Sequence, residues 1–130
     1  MKTKDESILE IRGESIGTIT ESSSSEEKFQ NQTLRPILKF QNDLCIEVFR
    51  NYATKQKGVF FTLSLEKKMS YIENAIQRDI KFRNSLKGIV MGMFTITEYK
   101  EYIQNSSNIN KRMMNLLIER LKSQIQLFEG

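Results

Sequence analysis

A chain of 130 residues with 28% charged and 38% hydrophobic residues has the size and balance of one globular domain, not of a fibre or a membrane bundle. It holds 20 Lys and Arg, 16 Asp and Glu, no histidine and one cysteine, Cys45. That inventory excludes an intrachain disulfide framework, a Ser-His-Asp or Cys-His catalytic arrangement, and a Cys/His zinc site.

The net charge of +4 is unevenly spread. Residues 1–28 carry four basic and seven acidic residues, a net −3 that leaves +7 on the remainder. The stretch GTITESSSSEE combines glycine, a serine tract and acid with too little apolar surface to close a core. Residues 1–28 are therefore expected to be a flexible acidic tail, preceding a single helical domain over 29–130. The N-terminus has acidic residues where a signal peptide has its apolar stretch. No run nears the roughly 18 apolar residues of a membrane span, and a cytoplasmic protein without a membrane partner is expected.

From Leu34 to Tyr52, apolar residues recur at three-and-four spacing, with Pro36 in the first turn and Gly58 as a C-terminal cap. This predicts one long amphipathic helix, with Cys45 as an inert thiol on its apolar face. GVFFTL (58–63) reads as a connector with extended character. Ser64 then caps a second helix carrying Leu65, Met69, Ile72 and Ile76 and ending near Asp79. RDIKFRNSLKGIVMGMF (78–94) predicts a third, with Phe82, Leu86, Ile89, Val90 and Met93 inward. Thr95-x-x-Glu98 matches a capping box for a short helix, with Thr97 as a rival cap. NSSN (105–108) is a turn before a last helix whose wide apolar face runs from Ile109 to Phe128. The expected fold is all-α, a small bundle of four to five helices.

Candidate binding residues follow from these helices. Arg78, Lys81, Arg83 and Lys87, joined by Lys111 and Arg112, form the best anion or nucleic-acid contact if the helix ends converge. Arg50, Lys55, Lys57, Lys67 and Lys68 could extend it. Gly88 and Gly92 share a helical face that admits a close neighbour, either another helix of this chain or a second copy. Met91 and Met114 would border an apolar interface, because adjacent methionines in each pair cannot all point inward. The run GIVMG lacks the Gly-Lys-Ser/Thr of a phosphate loop. Carboxylates such as Glu47, Glu73, Asp79 and Glu119 lie near basic residues and read as ion-pair partners. No catalytic, cofactor-binding or metal residue is assigned.

Over residues 29–130, LRPILKFQNDLCIEVFRNY, FRNSLKGIVMGMFTITEYKEYIQNSSNINKRMMNLLIERL and the closing QLFEG resemble a small uncharacterised bacterial family of all-helical proteins. Some members of that family carry the label glyoxalase, and the resemblance implies a glyoxalase-like enzyme. Glyoxalases hold a divalent metal through histidine and glutamate. From the residues themselves, the expected role is a non-enzymatic helical interaction protein that self-associates. Binding of RNA or DNA through the basic surface is the alternative.

Overall fold

The structure, a computed structural model, describes residues 1–20 and 23–128, and every regular element among them is helical. In chain order these are α1 (Lys4–Arg12), α2 (Ser25–Phe29), a π-helical turn (Gln30–Leu34), α3 (Arg35–Phe40) and α4 (Asn42–Lys55). A 3-10 turn (Val59–Thr62) leads to α5 (Leu65–Arg78), α6 (Ile80–Met91), α7 (Ile96–Ile103), α8 (Ser106–Ser123) and a closing 3-10 turn (Ile125–Phe128). The segments are shorter and more numerous than four or five long helices.

The N-terminal region differs most from expectation. Lys4–Arg12 is helical, its start fixed by a capping box in which Thr3 accepts from the Glu6 N–H and Glu6 accepts from the Thr3 N–H. Ile8 and Arg12 are buried against the body. The linker after α1 is pinned as well: Ile16 N–H donates to the Asn31 carbonyl at 2.9 Å, and Asn31 Nδ2 donates to the Thr18 carbonyl at 3.2 Å. The stretch GTITESSSSEE, expected to be flexible, falls partly on residues 21 and 22, which lie outside the described residues. Ser24 caps α2 by accepting from the Glu27 N–H.

The single long helix expected from Leu34 is broken in two. Gln41 leaves helical geometry (φ −90°, ψ 7°) between α3 and α4, and its side-chain amide donates to the Ile89 carbonyl. Lys57 and Gly58 both take positive φ, 68° and 66°. The Gly58 N–H reaches back to the Ala53 carbonyl at 3.1 Å, which closes α4 as glycine-type helix ends do. GVFFTL is a 3-10 turn, not an extended strand, and carries Phe60 into the core. Ser64 caps α5 as expected, and Thr95, not Thr97, caps α7 through the full box with Glu98.

Aromatic packing organises the core. The Phe49 ring meets those of Phe60 and Phe128 at 5.0 Å and those of Phe82 and Tyr71 at 6.1 and 6.2 Å. Such pairs add roughly 0.5–1.5 kcal/mol beyond area burial. The apolar face of α8 (Ile109, Met113, Leu116, Leu117, Leu121) is buried, and Ile125 and Phe128 continue it. Cys45 is buried as expected, and burial pushes its thiol up to about 11. Helices α5, α6 and α8 pack against one another in all three pairings. Their polar outer edges therefore enclose a groove.

Candidate functional site

On α6, Arg83 and Lys87 are one turn apart and share a face. On α8, Ser107, Lys111, Met114 and Asn115 do the same. Because α6 and α8 pack together, these two faces meet with the end of α5 around a groove of about 510 Å³. Arg83, Lys87 and Lys111 line it with the carboxamides of Gln77, Asn84, Asn110 and Asn115, and no carboxylate contributes to its wall. Met114 supplies the apolar part of the lining. Arg83 is held in place: its Nη1 donates to the Gln77 carbonyl at 3.0 Å, occupying an acceptor that the end of α5 leaves open. Asn110 Oδ1 accepts from the Tyr102 hydroxyl at 2.7 Å, which fixes the orientation of that carboxamide.

A second groove of about 630 Å³ lies on the other side of the α5–α6 junction. Tyr52, Tyr71, Arg78, Asp79 and Lys81 line it, together with Gln56 and Asn74. Asp79 caps α6 by accepting from the Phe82 N–H at 3.1 Å, and it accepts from the Tyr52 hydroxyl at 2.9 Å. Those two donors, the Phe82 N–H first, hold the Asp79 carboxyl below its ordinary value. Burial, and then Asp79 itself, pushes Tyr52 up to about 12.

The six cations singled out from the sequence thus divide three ways. Arg83, Lys87 and Lys111 share the first groove, while Arg78 and Lys81 line the second. Arg112 turns toward α2, 3.8 Å from Glu26 and donating to Gln30 Oε1 at 3.0 Å. Among the described residues, none of Arg78, Lys81, Arg83, Lys87 and Lys111 forms an ion pair with a carboxylate. The other basic residues do not converge on the grooves. Arg50 pairs with Glu47 and lies over the Phe128 ring, and Lys68 is buried over the Phe60 ring. Lys67 sits at the far end of α5 from Arg78, roughly 16 Å away at 1.5 Å per residue.

The glycine face makes no close contact within the chain. A Cβ at Gly88 would meet nothing within 4 Å, and one at Gly92 would meet only carbonyls of its own helix. The expected intrachain helix contact is therefore not made, because α6 packs through Phe82, Leu86 and Val90 on another side. Met91 and Met93 are both half-buried against the core. Met113 is fully buried, and Met114 is peripheral in the first groove.

One polar centre escaped sequence reading. Arg12, its side chain 2% exposed, pairs with Glu98 of α7. Its Nη1 also donates to the Met93 carbonyl at 3.2 Å, and its Nη2 to the Gln32 carbonyl at 3.1 Å. Thr33 Oγ1 donates to Glu98 Oε2 at 2.7 Å, and the Thr95 N–H to Oε1 at 2.8 Å. Pro36 has no N–H to give to the Gln32 carbonyl four residues earlier, and Arg12 supplies one instead. Burial alone would raise the Glu98 pKa, but Arg12, the Thr95 N–H and the Thr33 hydroxyl together hold it below its ordinary value.

Among the described residues, no three His, Cys, Asp or Glu side chains gather where a metal ion could be held. No helix among the described residues is long and apolar enough to cross a membrane. No protein-family model matches the sequence, and neither a curated protein nor a solved structure matches it.

Proposed function

We propose that this is a non-enzymatic nucleic-acid-binding protein whose contact surface is the groove between α5, α6 and α8. One observation carries the reading: Arg83, Lys87 and Lys111 converge on a single concave surface with no carboxylate in its lining. A phosphate backbone supplies the missing negative charge, and its neutralisation releases condensed counterions. The interleaved carboxamides and hydroxyl offer donors and acceptors suited to phosphate, sugar and base edges. Arg83 and Lys87 are half-buried and Lys111 is exposed, so their charged heads can reach a ligand.

Fluorescence anisotropy with labelled RNA and DNA oligonucleotides at a series of KCl concentrations tests this. Micromolar or tighter binding is expected, with log affinity falling against log salt at a slope of roughly −2 for three phosphates on a single strand. Lys87→Glu with Lys111→Glu is expected to lower affinity at least about 100-fold and flatten that slope. Unchanged binding in the double variant, or none by the parent protein at low salt, overturns the proposal.

Self-association is a second reading, favoured by a different observation. Ile96, Tyr99 and Ile103 form an exposed apolar stripe along α7 at helical spacing, and the Gly88–Gly92 face of α6 is open. A stripe of that kind covers best against a second copy or a protein partner.

A further inference from the structure

The two grooves at the α5–α6 junction differ in a way that assigns them different parts of one ligand. The first is walled by cations, carboxamides, Ser107 and Met114, with no carboxylate. The second joins two tyrosine rings, two cations and the charged Asp79. Residues 77–83 form the ridge between them: Gln77 and Arg83 face one side, Arg78 and Lys81 the other. A strand crossing that ridge passes directly from one groove to the next.

We infer that the ligand is single-stranded nucleic acid, with phosphates in the Arg83–Lys87–Lys111 groove and an unstacked base in the Tyr52–Tyr71 groove. This rests on the nucleic-acid reading above and adds the strand state and the base contact. Three physical points support it. Both sites are concave and lie either side of one ridge, so a flexible single strand can follow both and offer an unpaired base, whereas a duplex keeps its bases paired and stacked away from the Tyr52–Tyr71 groove. Asp79 repels phosphate but can accept from the amino and imino groups of a base edge. Tyrosine rings beside cations make the stacking surface on which single-strand binders hold bases irrespective of sequence. Tyr52 and Tyr71 are each half-buried against the core, and part of each side chain forms the groove wall. Tyr52 stacks on Phe82 at 4.0 Å and is tied to Asp79 through its hydroxyl, so the surface is preset and loses little rotamer freedom on binding.

The test compares three ligands on the full chain: an oligothymidylate of about twelve residues, an abasic strand of the same length, and the duplex of the oligothymidylate with its complement. The single strand is expected to bind about 10-fold or more tighter than either of the others, the ratio that one stacked base provides. Tyr71→Leu keeps the apolar packing and is expected to remove that advantage while leaving the salt slope unchanged. Because the chain has four Tyr and no Trp, tyrosine emission reports the contact without any substitution. It should be quenched by the oligothymidylate and not by the abasic strand. Equal binding of all three ligands, or equal quenching by the abasic strand, overturns the base contact while leaving the phosphate groove standing. Absence of any binding removes the parent reading as well.

Discussion

Arg12 and Lys87 are both long cations carried on helices, yet they meet opposite circumstances. Arg12 is enclosed, faces the Glu98 carboxylate, and gives two further hydrogen bonds to the carbonyls of Gln32 and Met93. Lys87 is half-buried in a groove whose wall contains no carboxylate. A buried charge that is paired with a carboxylate of its own chain serves folding, because nothing outside can reach it. A charge without a carboxylate partner on a concave surface takes its counter-charge from solution, which is the role the proposed function gives Lys87. The two regions hold the same kinds of residue and differ in who neutralises them.

The sharpest way to break this contrast is to remove Arg12. Arg12→Met retains much of the stem but strands Glu98 and leaves two carbonyls short of donors. The expected cost is about 3–5 kcal/mol of folding stability, read as a lower urea midpoint with unchanged slope. Adding Glu98→Gln should recover part of that loss, since the stranded charge is gone. Oligonucleotide affinity under conditions where the variant stays folded should not move. A cost near that of a surface pair, under about 1 kcal/mol, would make the Arg12 socket incidental. The groove substitutions Lys87→Glu and Lys111→Glu should behave in the opposite sense, abolishing binding while shifting stability by no more than about 0.5 kcal/mol.

A smaller effect separates the regions by pH. The Glu98 pKa lies below its ordinary 4.5 in the folded state. The stability it contributes is therefore fully present above the unfolded value and is lost as pH falls through the folded one. Thermal melts from pH 6 downward should show a plateau and then a decline beginning near pH 4.5. Arg12→Met should flatten that decline, because the carboxylate loses the cation that depressed its pKa. An acid limb unchanged by the substitution would mean that Glu98 does not depend on Arg12.

The same contrast explains what could be read from the chain alone. All-helical character, the Ser64 and Thr95 caps, the buried Cys45 and the inward face of α8 are local patterns, set by periodicity and side-chain chemistry within a few residues. The break at Gln41 is not local, since its side chain answers to Ile89 across the fold. Two signals for the ordered N-terminus were nonetheless present. Thr3-x-x-Glu6 and Ser24-x-x-Glu27 both match helix-start spacing. Low hydrophobicity concealed them, because α1 is held chiefly by one arginine and one isoleucine. For the candidate site, the sequence nominated the groove cations but not their grouping. Lys81 and Arg83, both within α6, point to different grooves because residues two apart on a helix lie about 200° apart around its axis.

The smallest predicted effect concerns Gly88, on the helix that carries Arg83 and Lys87. Its missing side chain fills no tight space, since a Cβ there meets nothing within 4 Å. An alanine therefore brings only the usual gain of helix propensity over glycine, about 1 kcal/mol. If the chain is monomeric, Gly88→Ala should raise the melting temperature by a few degrees and leave sedimentation behaviour unchanged. If a second copy packs closely on this face, the added methyl should instead shift the oligomer toward monomer at a given concentration, and the stability gain should vanish. Measuring both quantities on one variant decides whether α6 presents its open glycine face to solvent or to a partner. The answer also fixes how much of the groove edge remains free for a strand to cross.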